Sequence, residues 1–119
     1  MSALKIEAFH LKALANVATK EQDNAIGHSG EVSRYGIPVD LWNHFLSAFP
    51  AMAAQPHDAN LSKMVAFEIW SRRLEDFQKV QNRDPSLREL YLLWDCPLKV
   101  KHPKPRAAYR ASVFVDLLS

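Results

Sequence analysis

The sequence predicts a mainly α-helical protein, a single compact domain of four to five helices. Its 119 residues are 48% hydrophobic and 24% charged, an ordinary composition for a globular protein. Apolar side chains recur every three or four residues along most of the chain, which is the spacing of one helix face. All three glycines fall within residues 19–36, so a loop is predicted there.

The first helix is predicted from Leu4 to about Ala18, a segment rich in good helix formers. Two apolar stripes run along it. One consists of Leu4, Ala8, Leu11, Ala15 and Ala18, and the other of Ile6, Phe9, Ala13 and Val17. A helix that is apolar on two sides is either buried between neighbouring helices or paired with a second copy. A homodimer is therefore one alternative.

Residues 19–36 lack helical periodicity and are interpreted as a glycine-containing loop. Within it, residues 26–30 have the I-G-x-x-G spacing that resembles the backbone-clamping loop of KH domains. Glu31 follows, whereas such loops continue into a basic helix. We interpret the segment as a plain loop and assign no family.

Two helices are predicted after this loop. Pro38 suits the first turn of the second helix, and Pro50 is expected to kink that helix or end it near Phe49. The third helix, capped by Asp58 or Asn60, should run to about Gln81. One apolar side, clearest in its C-terminal half, is predicted to carry Ala66, Phe67, Trp70, Leu74 and Phe77. Another side of its first half is predicted to carry Leu61, Val65 and Ile69.

The last elements lie on either side of a proline-rich connector. Asp84-Pro85-Ser86 predicts a helix start with Asp84 as the cap, and Cys96-Pro97 should end that helix. Leu98 to Pro105 is interpreted as an extended connector. From Arg106 the pattern favours a helix with an inner stripe of Ala108, Ala111, Val115 and Leu118, although residues 113–115 also suit a short strand.

Charge divides this one domain into a helical body, residues 1–98, and a basic end, residues 99–119. The body holds ten Lys and Arg against twelve Asp and Glu, a net charge of −2, and the end holds five against one, a net charge of +4. Its candidate binding residues are Lys99, Lys101, Lys104, Arg106, Tyr109 and Arg110. They suit nucleic-acid phosphates with Tyr109 stacking on a base, an acidic protein surface, or a merely solvated linker.

No catalytic or metal-binding signature is found, so we expect a non-catalytic protein without a cofactor. The five histidines lack ligand spacing, and Cys96 lies at a helix C-terminus, where the dipole disfavours a thiolate. A single cysteine excludes an intramolecular disulfide, and no apolar run approaches the roughly 18–20 residues of a membrane helix. We therefore expect a soluble, cytoplasmic protein with no membrane association. A small hydrolase or transferase built around the glycine loop is an alternative.

Surplus aromatic residues favour an intracellular interaction or regulatory protein that binds another protein through apolar-aromatic helix faces. Trp42 and Phe49 widen the apolar arc of the second helix beyond what one neighbour would cover, so they are the predicted partner contacts. The alternative function is nucleic-acid binding by the basic residues 99–110.

Overall fold

The computed structural model describes residues 3–18, 31–32, 35, 37–47 and 59–119. The predicted mainly helical fold is confirmed. The described residues form α1 (Ala8–Ala18), β1 (Glu31–Val32), β2 (Ile37–Pro38), α2 (Val39–Leu46), α3 (Ala59–Gln81), α4 (Leu87–Asp95) and α5 (Pro105–Leu118). The chain divides into two compact units, one of Met1–Val17 with Ile69–Ser119 and one of Ala18–Glu68. The change of charge at residue 99 falls inside the first unit.

Helix α1 begins at Ala8, four residues later than predicted, because tertiary hydrogen bonds hold the preceding backbone. The Leu4 amide donates to both carboxylate oxygens of Asp84, at 3.3 and 3.2 Å, and the Gln78 side-chain amide donates to the Leu4 carbonyl at 2.9 Å. The Glu7 amide donates to Nδ1 of His10 at 2.9 Å and so caps the helix start. Residues 3–7 are therefore anchored without being helical.

Residues 31–32 of the predicted glycine loop form one strand of a short antiparallel β pair, in which Glu31 faces Pro38 and Val32 faces Ile37. The prediction of an entirely irregular stretch is wrong at this point, and the I-G-x-x-G string lies outside the described residues. Pro38 ends β2, so α2 starts one residue after it. Helix α2 ends at Leu46, and the Ser47 hydroxyl donates to the His44 carbonyl at 2.6 Å. Pro50 lies outside the described residues.

Helix α3 has the predicted span and ends at Gln81. The next residue, Asn82, has a φ of 53°, the left-handed conformation that commonly follows a helix C-terminus. The predicted cap Asp84 is wrong. Ser86 caps α4 instead, with its hydroxyl accepting from the Glu89 amide and the Glu89 carboxylate accepting from the Ser86 amide. This reciprocal capping box leaves the Asp84 carboxylate to hold Leu4.

The core of the first unit is built around Trp70, which is fully buried. Its indole N–H donates to the Leu90 carbonyl at 2.8 Å. The rings of Trp94 and Phe114 meet it edge to face, with centroids 6.0 and 5.8 Å away. Such contacts favour one packing geometry in addition to the apolar area that they bury. They fix α4 and α5 against the second half of α3.

The C-terminal segment is a helix, as preferred from sequence, but its inner stripe differs from the predicted one. Ala107, Ala111 and Phe114 are buried, whereas Ala108 and Val115 are only partly covered. The bulky Phe114 ring packs on Trp70 and on Tyr91, so the buried stripe passes through Ala107 and Phe114 in place of Ala108 and Val115. Before α5 the connector makes turns and is not extended, because the Lys99 amide bonds to the Cys96 carbonyl and the His102 amide to the Lys99 carbonyl.

Candidate functional site

One depression in the first unit is a groove of about 810 Å³, called here the apolar groove. It runs between the second half of α3 and the connector. Its apolar lining consists of Phe77, Val80, Leu93, Pro97, Leu98 and Val100. Its polar lining consists of Arg73, Asp76, Gln81, Arg83, Glu89, Lys99, Lys101 and His102. The volume lies in the upper part of the range of about 300–1,000 Å³ that is usual for binding pockets.

Two apolar side chains of this groove are strongly exposed. Leu98 is 97% exposed and Val80 is 78% exposed. Single exposed apolar residues are common, but two that line the same depression form a patch on which another molecule can bury area. They are the main attractive feature of the groove.

Arg73 joins the wall formed by α3 to the wall formed by α4. Its guanidinium donates to the carbonyls of Trp94, at 2.7 Å, and Leu93, at 3.3 Å, and lies 6.0 Å from the Trp94 ring centroid. These carbonyls belong to the last turn of α4, where the helix lacks its own donors. Burial lowers the pKa of Arg73 from its ordinary value, but arginine keeps its charge. The groove wall is therefore held in place by a cation that caps a helix end.

Arg83 and Glu89 brace the other end of the groove. Two nitrogens of Arg83 donate to the two carboxylate oxygens of Glu89, at 2.9 and 2.8 Å. The same guanidinium lies 5.0 Å from the Phe77 ring centroid. The hydrogen bond from Arg83 lowers the pKa of Glu89 to about 2, and the Ser86 amide contributes. Glu89 is thus ionised at neutral pH, and its charge is already paired.

A second depression of about 330 Å³, called here the basic cleft, lies where α4, the connector and the start of α5 meet. Four of the six predicted binding residues line it, namely Lys99, Lys104, Arg106 and Arg110. Lys101 lines the apolar groove instead. Tyr109 lines neither depression and is 71% exposed. The structure thus gathers most of the predicted basic residues but leaves the stacking residue outside.

Asp95 is the one carboxylate in the basic cleft's lining. It accepts a hydrogen bond from the Tyr91 hydroxyl at 2.9 Å and lies 3.7 Å from a guanidinium nitrogen of Arg110. Burial raises the pKa of Tyr91, and the nearby Asp95 charge raises it further, so the phenol stays protonated as a donor. Asp95 is therefore oriented by its own neighbours.

Cys96 also lines the basic cleft, but its thiol is not activated. Burial raises its pKa, and the adjacent Asp95 carboxylate adds to that effect. A thiol of raised pKa is a poor nucleophile at neutral pH because little thiolate is present. This agrees with the location of Cys96 just after the C-terminus of α4.

The two partner contacts predicted for the second helix are Trp42 and Phe49. The expectation that Trp42 keeps an exposed remainder is wrong, since its side chain is 3% exposed and belongs to the interior. Phe49 lies outside the described residues. On α1, Phe9 was assigned to an apolar stripe, yet it is 53% exposed with its ring 4.2 Å from that of His10.

Sequence reasoning did not find Val80 or Leu98. Val80 lies among polar residues at the end of α3, and Leu98 follows a proline in the connector. An apolar residue at such polar positions is the only local signal. That the two line one groove depends on how the connector turns back along α3.

Comparison of the chain with protein-family models, with curated proteins and with solved structures finds no match of any of the three kinds. None of the helices in the described ranges is both long and apolar enough to cross a lipid bilayer. Across the same residues, no three His, Cys, Asp or Glu side chains are grouped as they would be around a metal ion.

Proposed function

We propose that this chain is a small, non-catalytic interaction protein whose protein partner binds in the apolar groove. The observation that carries the proposal is the exposure of Leu98 and Val80, 97% and 78%, along the same groove. Burial of an exposed leucine or valine contributes roughly 1.5–3 kcal/mol, so these two side chains can supply apolar binding free energy to a partner.

Side-chain contacts join α3, and the segment just after it, to both ends of α4 beside the groove. Arg73 fixes the end of α4, and the Arg83–Glu89 pair fixes the beginning of α4 next to Phe77. A preformed site costs less conformational entropy on binding than a flexible one. These contacts therefore support a role in recognition, and a regulatory function and a cytoplasmic location stay predictions.

Leu98→Asp and Val80→Asp test this proposal. Leu117→Asp is the matched control, because Leu117 is 47% exposed and does not line the groove. Immobilised wild-type protein and each variant are incubated with cell extract, and the captured proteins are identified by mass spectrometry. We expect a partner that wild type and the Leu117 variant retain and that both groove variants lose.

Sedimentation velocity on the same four proteins tests whether the partner is a second copy. If wild type dimerises and both groove variants are monomeric, the occupant of the groove is another copy of this chain. Equal capture and equal sedimentation by all four proteins would contradict the groove as the binding site.

Nucleic-acid binding is the second candidate function, supported by the exposed basic residues and Tyr109, 71% exposed, beside them. It predicts that affinity for a single-stranded oligonucleotide falls steeply with salt, because each phosphate contact releases counterions. Reversing the charges of Lys101, Lys104 and Arg106 together should abolish binding with the helical circular dichroism spectrum unchanged. Unaltered affinity in that triple variant would remove this candidate.

A further inference from the structure

We propose that the basic cleft binds the phosphate group of a small phosphorylated ligand. Lys99, Lys104, Arg106 and Arg110 line a single depression of about 330 Å³. Their one acidic neighbour in the lining is Asp95, so the cleft has a net charge of +3. This cleft shares Lys99 with the lining of the apolar groove, but the proposal does not depend on a partner docking there.

The cations of the cleft are largely uncompensated. Among the described residues, Lys99, Lys104 and Arg106 form no ion pair, and Arg110 is 3.7 Å from Asp95. Like charges gathered around one depression repel each other. A bound dianion would relieve that repulsion. This makes a phosphate group a better match than a carboxylate of single charge.

Asp95 does not block the cleft, because its carboxylate is already engaged. The Tyr91 hydroxyl donates to Oδ2 at 2.9 Å, and Arg110 is nearest to that same oxygen. The carboxylate is therefore a counter-charge close to Arg110, and no hydrogen bond to Asp95 occupies the guanidinium. Its N–H groups can then be presented to a phosphate.

The backbone at the start of α5 adds to the positive potential of the cleft. Lys104 caps this helix without a side-chain hydrogen bond, and Pro105 has no amide hydrogen. The first backbone hydrogen bond of the helix is donated by the Ala108 amide to the Lys104 carbonyl, at 3.0 Å. The amides of Arg106 and Ala107 precede it, and Ala107 lines the cleft. They supplement the side-chain cations as phosphate donors.

The shape favours a compact ligand over a nucleic-acid strand. The four cations converge on one depression, and its volume is near the lower limit of about 300 Å³ for small-molecule pockets. A strand-binding surface would instead need cations in a line with aromatic rings between them. Tyr109, the one exposed aromatic residue near this segment, does not line the cleft.

Isothermal titration calorimetry with inorganic pyrophosphate, at an ionic strength fixed with sodium chloride, tests the proposal. We expect wild type to bind, and Lys104→Glu and Arg106→Glu each to bind at least about tenfold more weakly, because each removes a charge-assisted contact. Lys79→Glu is the matched control. It makes the same change of charge at an exposed residue of α3 outside the cleft, and it should bind like wild type.

A parallel titration with a single-stranded oligo-dT distinguishes the two sources of phosphate. Pyrophosphate binding that Lys104→Glu removes and Lys79→Glu retains supports the cleft. Absence of pyrophosphate binding at millimolar concentration, or equal weakening by the Lys79 variant, overturns it. Binding of oligo-dT without pyrophosphate also overturns it and favours the nucleic-acid function. All three substitutions are at exposed residues, so circular dichroism should show unchanged helix content.

Discussion

His10 is a buried histidine with a structural role at the start of α1. It is 2% exposed, its Nδ1 accepts the Glu7 amide at 2.9 Å, and its ring meets that of Trp70 at a steep angle, with centroids 6.2 Å apart. Burial lowers the pKa of His10 from its ordinary value of 6.5, and the Glu7 charge opposes that shift only in part. The neutral imidazole is thus the form that the fold accommodates, because protonated Nδ1 cannot accept a hydrogen bond.

This predicts a stability that depends on pH. Because the pKa of His10 is lower in the folded protein, the unfolded chain takes up the proton first as pH falls. The contribution to stability is complete above about pH 6.5 and is lost as pH falls below it, by at most about 1.4 kcal/mol per pH unit. Urea denaturation between pH 7.5 and 5.5 measures the loss.

The control variant is His10→Asn, whose side-chain oxygen can still accept the Glu7 amide but does not titrate. The difference in unfolding free energy between wild type and this variant isolates the contribution of His10 from that of other groups. A constant difference across the pH range would show that His10 does not titrate on unfolding.

Asp84 shows the limit of residue-scale prediction. An aspartate before Pro85 and Ser86 is a plausible helix cap by its chemistry, and the sequence also contains the S-x-x-E signature of a capping box at Ser86 and Glu89. The capping box forms, and Asp84 accepts from Leu4, 80 positions away. Local chemistry could have identified Ser86 as the cap. No local pattern indicates a partner so distant.

Helix α4 depends on interactions at both of its ends. Ser86 and Glu89 satisfy backbone amides at the start, and Arg73 satisfies the Trp94 carbonyl at the end. Four consecutive residues between these ends, Leu90 to Leu93, are buried. A short helix is marginal by itself, so these caps and the core together determine whether it forms.

Ser86→Ala should destabilise the protein by about 1 kcal/mol, the usual cost of removing an N-cap hydroxyl. Chemical denaturation monitored by circular dichroism measures it. Ser112→Ala is the control. Ser112 is an exposed residue inside α5, and its hydroxyl donates to the Ala108 carbonyl of the same helix without capping a helix end. Alanine is tolerated well in a helix interior. Equal stability of the two variants would contradict the capping role.

Apolar periodicity, together with helix-stop residues, predicted the positions of several helices. The span of α3 and the end of α4 follow from apolar spacing and helix-stop residues. The predicted inner stripe of α5 is right at Ala111 and wrong at Ala108 and Val115, because the adjacent Ala107 and Phe114 are also apolar. The deciding factor is the contact of Phe114 with Trp70, a tertiary interaction. Sequence periodicity alone does not choose between adjacent apolar stripes.

Of the two candidate sites in the whole molecule, one could be anticipated from the sequence and the other could not. The basic cleft was foreseeable as a composition, since its lysines and arginines are close together in sequence. The apolar groove was not, because Val80 and Leu98 become neighbours in one depression only through the turns of the connector. The exposed surface predicted on α2 was wrong for Trp42, whose burial depends on packing that periodicity does not reveal.

The two compact units share one helix, which has a consequence for unfolding. Helix α3 is continuous from Ala59 to Gln81, although the division between the units falls after Glu68. Helix formation is cooperative, so melting of one half removes hydrogen bonds and neighbours from the other. We therefore expect a single unfolding transition for the whole chain.

Tryptophan fluorescence can report on each unit separately, because Trp42 belongs to one unit and Trp70 and Trp94 to the other. Trp42→Phe leaves only the reporters of the first unit, and the double change of Trp94 and Trp70 to Phe leaves only that of the second. With circular dichroism as the stability reference for each variant, the fluorescence and dichroism midpoints should coincide within each protein. Glu68→Pro breaks α3 at the division, at a cost of about 3 kcal/mol. In each tryptophan variant, this substitution should make the fluorescence midpoint differ from the dichroism midpoint. If the two midpoints already differ while α3 is intact, the shared helix does not couple the units.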